Sequence, residues 1–323
     1  MEYNNYVKKV IKDNYSLRNL VPKYSAAFPE LFYNENPSEE RCLFAVKLNG
    51  RLLGTIEHQT EKLCLEAVKR NENAFVYVKQ QTENICLEAV KRDPFLLEYV
   101  KQQTEKICLT AVRKSGLALK HVKHQTEKIC LEAVKQCGFA VCMVKHQTEK
   151  ICLEAVKKDW SVLRYVKHQT EKICLEAVKR NYEAFADVKQ QTEKICIEVV
   201  KQNACYLDRV KHQTQAICLA AVTKYGNTLR FVKKQTPEIC LTAVKQNGLA
   251  LMFVKDRTQE ICLAAVRNDP KAIKFVKSEF KEACKKEIEG LKSKQSLKYA
   301  DTSNPDLCKA AIEQDSCKSM ELF

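Results

Sequence analysis

The chain has 323 residues, 45% of them hydrophobic and 29% charged, a balance that excludes wholesale disorder and leaves material for one large domain or two smaller ones. With 7 Gly and 7 Pro it belongs to neither the collagenous nor the proline-rich linker classes, and no run of about 18 apolar residues exists to span a membrane. A formal net charge of +15 favours anionic partners without naming one.

Residues 1–37 open with MEYNNYVKKVIKDNYS, which lacks the apolar stretch of a secretory leader, and are expected to form an N-terminal helical cap. From Cys42 onward a cysteine returns every 22 residues, through Cys64, Cys86, Cys108 and so on to Cys284, and Cys308 follows after 24. A repeat of that period decides the fold before any local signal does. Residues 38–284 are therefore expected to be a tandem array. Residues 285–323 are expected to be a basic C-terminal segment with a degenerate last repeat.

Each repeat carries two start signals. Thr60 and its equivalents up to Thr258 stand where an N-cap belongs, followed mostly by Glu and at Pro237 by a first-turn proline. A pure capping role would make Asp an acceptable replacement there. Seven residues after each repeat cysteine comes a second set, including Asn71, Asp93, Ser115, Asp159 and Asn181, often with Gly or Pro next. Each repeat thus predicts two short helices, of about 10 and about 9 residues. One unbroken helix, which a doubled 11-residue period would allow, puts Lys101 and Thr104 inside the apolar arc, so a break at the Gln-Thr step is preferred. Helices this short are marginal alone and must stack on neighbouring repeats. The expected fold is all-α, an α-solenoid of about thirteen 22-residue two-helix repeats.

The string HQTEKICLEAVK and its variant TPEICLTAVKQNGLALMFVK, from Thr236 to Lys255, resemble the repeat family called domain of unknown function 4116, abundant in giant DNA viruses. The resemblance covers roughly residues 38–284. It implies a helical tandem array and a viral origin, and it carries over no catalytic residue.

The ladder cysteines lie between Ile and Leu on a wide apolar face, so they are expected to be buried, reduced thiols. Stacked helices about 8–10 Å apart do not suit a disulfide ladder. His58, His124, His146, His168 and His212 share a repeat position with Gln80 and Gln102, which argues against a required imidazole. No nucleotide-binding, zinc-protease or nucleophile-elbow motif occurs, so no catalytic residue, cofactor or metal site is expected. Two lysine ladders, one through Lys69 and Lys91 and one through Lys79 and Lys101, alternate with Glu and read as a mixed solvated face.

Variation between repeats concentrates on the second helix while the first stays nearly constant. Candidate partner-binding residues there are Phe95, Tyr99, Trp160, Arg164, Tyr165, Tyr182, Arg209 and Arg230, of the types that dominate interface hot spots. Neighbouring repeats place Gly or Pro at the Trp160 position, which predicts undemanding packing there. The expected function is a non-enzymatic protein-binding scaffold, intracellular, in host cytoplasm or virion if viral. The alternatives are a nucleic-acid-binding basic solenoid and a structural virion component. No membrane partner is expected.

Overall fold

The structure, a computed structural model, describes residues 38–300, with side chains described up to 293. The expected cap at 1–37 and the degenerate repeat around Cys308 lie outside the described residues. Twelve α-helices alternate with eleven six-residue 3-10 helices, and no strand occurs among the described residues. The ten-residue helices are α1 (Glu39–Leu48), α2 (Glu61–Arg70), α3 (Glu83–Arg92), α4 (Glu105–Lys114), α5 (Glu127–Gln136), α6 (Glu149–Lys158), α7 (Glu171–Arg180), α8 (Glu193–Gln202), α9 (Gln215–Lys224), α10 (Pro237–Gln246) and α11 (Gln259–Asn268). The last, α12 (Lys281–Ala300), has 20 residues. It runs on past Leu291, the position at which the preceding repeats end their α-helices.

From α2 to α11 each α-helix begins directly after a threonine. Thr82 Oγ1 accepts from the Ile85 N–H at 3.4 Å, and Thr104 and Thr148 do the same with Ile107 and Ile151. The hydroxyl hydrogen has a second use. Thr82 donates to Glu61 Oε1 at 2.6 Å and Thr104 to Glu83 at 3.0 Å, each Glu opening the preceding α-helix. The threonine therefore caps its own helix and ties it to the previous one. Aspartate can do only the first, so where this tie exists, as at Thr82 and Thr104, an Asp replacement is expected to lose it.

The second element is a 3-10 helix of six residues, shorter and tighter than the expected helix of about 9. Its apolar residues recur every third position, as Pro94, Leu97 and Val100, or Gly138, Val141 and Val144, all buried. Three residues per turn put that series on one side of a 3-10 helix, whereas an α-helix would rotate it away. The helix stops at the valine, which is extended (Val100 φ −72°, ψ 118°) and donates its N–H to Leu97 O.

A glutamine joins the repeats. Gln103 Nε2 donates to Leu97 O in its own 3-10 turn and to His121 O in the next one, both at 2.9 Å. Its Oε1 accepts from the Lys123 N–H at 2.9 Å and faces the Cys108 thiol at 3.8 Å. Gln147 repeats the pattern with Val141 O, Tyr165 O, Lys167 N–H and Cys152, and Gln213 with Leu207 O, Phe231 O, Lys233 N–H and Cys218. The same residue stands in every repeat from Gln59 to Gln235. Arg257 then replaces it. The guanidinium donates to Leu251 O and Met252 O at 3.2 Å but has no acceptor, and the Lys277 N–H turns to the Cys262 sulfur instead.

The chain divides into two compact units, with the boundary inside α7. Among the described residues of the first, 38–177, the α-helices pack in sequence from α1 to α6 and the 3-10 helices line up beside them. In the second, 178–300, α8 through α12 pack in sequence in the same way. Each unit is a solenoid-like stack whose core consists of Ile, Cys, Ala and Val from the α-helices and the buried third-position residues of the 3-10 turns.

Gln147→Ala removes two donors and an acceptor that link successive repeats, and should cost about 2 kcal/mol in urea denaturation. Gln147→Glu should be no better at neutral pH, since a carboxylate would face the Val141 and Tyr165 carbonyls. For the threonine, Thr82→Ser should be close to wild type and Thr82→Asp should lose about 1 kcal/mol or more through repulsion with Glu61. Equal stability of the Ser and Asp variants would show that the tie to Glu61 contributes nothing.

Candidate partner-binding surface

The 3-10 geometry sorts its own side chains. In the Pro94–Tyr99 turn, Pro94, Leu96 and Leu97 are buried, which leaves Phe95, Glu98 and Tyr99 outward. In the Trp160–Tyr165 turn, Val162 and Leu163 are buried and Arg164 and Tyr165 exposed. Because neighbouring turns lie side by side, outward residues of successive repeats meet.

In the first unit four successive turns form a row. The Phe95 ring meets the His121 ring edge-to-face at 6.2 Å, with Lys120 Nζ 5.1 Å from the Phe95 centroid. Phe139 meets Tyr165 edge-to-face at 5.2 Å. Glu98 lies 3.8 Å from His121, yet burial prevails over that carboxylate and pushes the His121 pKa below its ordinary value. Of the sequence candidates, Phe95, Tyr99, Arg164 and Tyr165 lie exposed on this row.

In the second unit, Tyr182 is half-buried and packs edge-to-face on Tyr206 at 5.0 Å, with the Arg209 guanidinium 4.8 Å from the Tyr206 ring centre. Arg230 lies over Phe231 at 4.5 Å. The eight candidates are thus divided, five in the first unit and three in the second.

The expectation for Trp160 needs correction. Its equivalents are packed positions: a Cβ on Gly116 would meet Ala133 O at 2.3 Å, and one on Gly226 would meet Ala243 O at 2.3 Å. Pro94 and Ala204, which carry a Cβ there, are buried, and Trp160 is half-buried. Glycine recurs at this position because the next α-helix's last turn comes close, not because the site is tolerant. Trp160 is accordingly a poor probe of the surface.

Sequence reasoning passed over Phe139, Tyr206 and Tyr225. Phe139 repeats Phe95 two units later at the second position of its turn, a recurrence that would have revealed the Phe139–Tyr165 pair. Tyr225 occupies a 3-10 cap position held by Asn or Asp in most repeats, and it makes no side-chain cap bond.

The second lysine ladder is more than solvated charge. Lys123 Nζ donates to Val100 O and Lys101 O at 3.2 and 3.1 Å, and Lys145 Nζ to Lys123 O at 3.2 Å. Each ammonium thus rests on the backbone of the preceding repeat, next to the outward row. At the α-helix ends, Arg70 and Arg92 pair with Glu66 and Glu88, and Lys157 pairs with Glu154.

All described cysteines are free thiols, and those of the 22-residue ladder are buried. Burial pushes the Cys64, Cys86, Cys152 and Cys196 pKa values up to about 11, and for Cys64, Cys152 and Cys196 a nearby Glu adds to the rise. The five ladder histidines are exposed. Among the described residues no group of three or more His, Cys, Asp or Glu side chains could hold a metal ion, and no helix is long and apolar enough to cross a membrane.

The family described as "Domain of unknown function (DUF4116)" matches residues 60–105, 82–125, 216–259 and 236–281. Residues 60–125 and 216–281 carry DUF4116 repeats. Each match spans two successive 22-residue units, and the two pairs overlap, as a tandem array requires. No curated protein and no solved structure matches the chain. The aromatic row of the first unit includes Phe95, Tyr99 and His121 within the matched 60–125 stretch, while Phe139, Arg164 and Tyr165 lie outside it.

The raised thiol pKa values set both reactivity and pH dependence. Brief alkylation of the native protein near pH 8 should label the exposed Cys142 and Cys205 and spare Cys64, Cys86, Cys152 and Cys196 by peptide mapping. A thiol whose folded pKa exceeds its ordinary value of 9.0 holds its proton longer folded than unfolded. The associated stability is complete below pH 9.0 and declines as pH rises toward about 11, so the melting temperature should fall across that window.

Proposed function

We propose that the chain is a non-enzymatic helical-repeat scaffold that binds a protein partner through the outward faces of its 3-10 turns. The observation that carries this reading is the exposed aromatic row of the first unit. Phe95, Tyr99, Phe139 and Tyr165 are 38%, 52%, 43% and 42% exposed on a frame whose α-helices barely vary. Exposed aromatics grouped in this way are typical of interaction surfaces, and repeat arrays present extended faces of this kind. Support also comes from the division of labour within a repeat. Gln, Thr and Cys serve the joints between units, leaving the second, fifth and sixth positions of each 3-10 turn without a shared structural duty.

A nucleic-acid-binding array is the second reading, favoured by the lysine ladders and the net charge of +15. Against it, ladder ammoniums are engaged with carbonyls of the preceding repeat, and α-helix-end cations pair with Glu. Affinity purification of the full chain, with and without nuclease, separates the two. The Tyr99→Ala/Tyr165→Ala variant should lose most partner capture while retaining its helical spectrum, and the Lys145→Glu/Lys167→Glu variant should mainly slow association. If the lysine variant alone loses binding, with a shallower salt dependence, the nucleic-acid reading takes the place of the scaffold.

A further inference from the structure

The first repeat departs from the array at the positions that face backward. In later α-helices the sixth and tenth residues reach the repeat before them. Glu132, sixth in α5, takes Arg113 at 2.8 Å, and Lys114, tenth in α4, donates to Arg92 O at 2.6 Å. From α2 to α11 the sixth residue is Glu, Thr or Ala and the tenth is Arg, Lys, Gln or Asn. In α1 these positions hold Phe44 and Leu48, which are 58% and 55% exposed. No described repeat precedes α1, so this apolar pair lies on the edge where the stack begins.

The first 3-10 turn, Gly50–Thr55, departs in the opposite sense. Its fifth and sixth residues, Gly54 and Thr55, are buried. In every later turn the fifth residue is exposed and the sixth is half-buried or exposed, although turns such as Pro94–Tyr99 have a neighbour on both sides. Small size is not the reason, since Ala186 at the fifth position of its turn is exposed. Gly54 and Thr55 therefore have a cover that the later turns lack. Thr55 suits an apolar one, because its hydroxyl already donates to Leu52 O at 2.8 Å.

The chain joined to this repeat is residues 1–37, which lead directly into Ser38, the cap position of α1. A five-residue extended link spans about 17 Å, against roughly 15 Å for a ten-residue α-helix, so residues up to Phe32 can reach any point along α1. Before that link stand Leu17, Leu20, Val21, Phe28, Leu31 and Phe32, enough apolar side chain for a cover. A segment on so short a tether acts at an effective concentration of roughly millimolar, which favours it over a second copy of the chain.

We propose that residues 1–37 dock on the first repeat over Gly54 and Thr55, and so cap the end at which the array begins. Phe44 and Leu48 form the rim of this docking surface, where each keeps more than half of its surface in water. A repeat stack needs such a cap because its terminal unit has no further neighbour to bury its apolar face.

The test is hydrogen exchange by mass spectrometry on the full chain. In the wild type, amides within residues 17–33 should exchange more slowly, by about tenfold, than in a free peptide of residues 1–37. Thr55→Tyr installs the residue that later turns hold as Tyr77, Tyr99 and Tyr165. Phe44→Glu/Leu48→Arg installs the pair that α2 holds as Glu66 and Arg70, so neither variant is foreign to the array. Thr55→Tyr should speed exchange across residues 17–33 by about tenfold and the double variant by about threefold, with α6 unchanged in both. Should either variant also speed exchange in α6, the wild-type comparison with the free peptide decides. Absence of protection in the wild type, or protection that neither variant reduces, overturns the proposal. So does a wild-type dimer in sedimentation that Phe44→Glu/Leu48→Arg converts to monomer, which would assign this edge to a second copy.

Discussion

The bond pattern of one side-chain amide underlies the stack. A glutamine at the end of each repeat offers two donors and an acceptor, and the structure uses all of them, mostly on backbone atoms of two successive repeats. Gln103 and Gln147 show this in full. The 3-10 turns need such a partner. A short turn leaves carbonyls without intrahelical donors, and the chain then bends sharply, exposing the N–H of the following lysine. One primary amide answers both needs in a fixed geometry. The cysteine fits the same arrangement, because its small thiol fills the space beneath the amide and directs a weak donor at its oxygen.

With the frame held by backbone-directed bonds, the outward positions are relieved of structural duty. Position by position the first unit puts Phe95, Leu117, Phe139 and Ser161 at one outward site, and Glu98, Lys120, Cys142 and Arg164 at another. Such changes leave the Gln, Thr and Val contacts untouched. Variability and regularity are therefore two sides of one construction: the joints are made by the glutamine amide and main-chain atoms, and substitutions at the outward positions touch neither.

Much of this was legible in the sequence. The 22-residue cysteine ladder gave the repeat, and the recurring threonine gave the start of each α-helix from α2 to α11, because those residues act through local bonds of fixed spacing. The three-residue recurrence of Pro94, Leu97 and Val100 was visible too, yet it was taken for part of a longer helix, since a single apolar pair does not separate 3.6 from 3.0 residues per turn. What could not be read was the duty of Gln103, whose partners lie 6, 18 and 20 residues away. The Trp160 position misled for a related reason. Glycine there looked like tolerance, whereas the close approach of Ala133 O to Gly116 is a tertiary fact. Of the surface, the aromatic identities were evident but their pairing across 26 residues, as in Phe139 and Tyr165, was not.

The exchange of glutamine for Arg257 gives the array a direction and a stop. Gln59, Gln81, Gln103, Gln125 and Gln147 in the first unit, and Gln191, Gln213 and Gln235 in the second, each reach forward to a carbonyl and an N–H of the following repeat, which that amide completes. A duplicated 22-residue segment inserted anywhere upstream of Arg257 brings its own amide and inherits a matching acceptor and donor, which makes unequal recombination at these sites structurally harmless. The segment that follows Arg257 meets a guanidinium that can only donate, and its Lys277 N–H turns to the Cys262 sulfur in place of an amide oxygen. Direction along the array is therefore a property of the grammar of the joint and not of any one repeat.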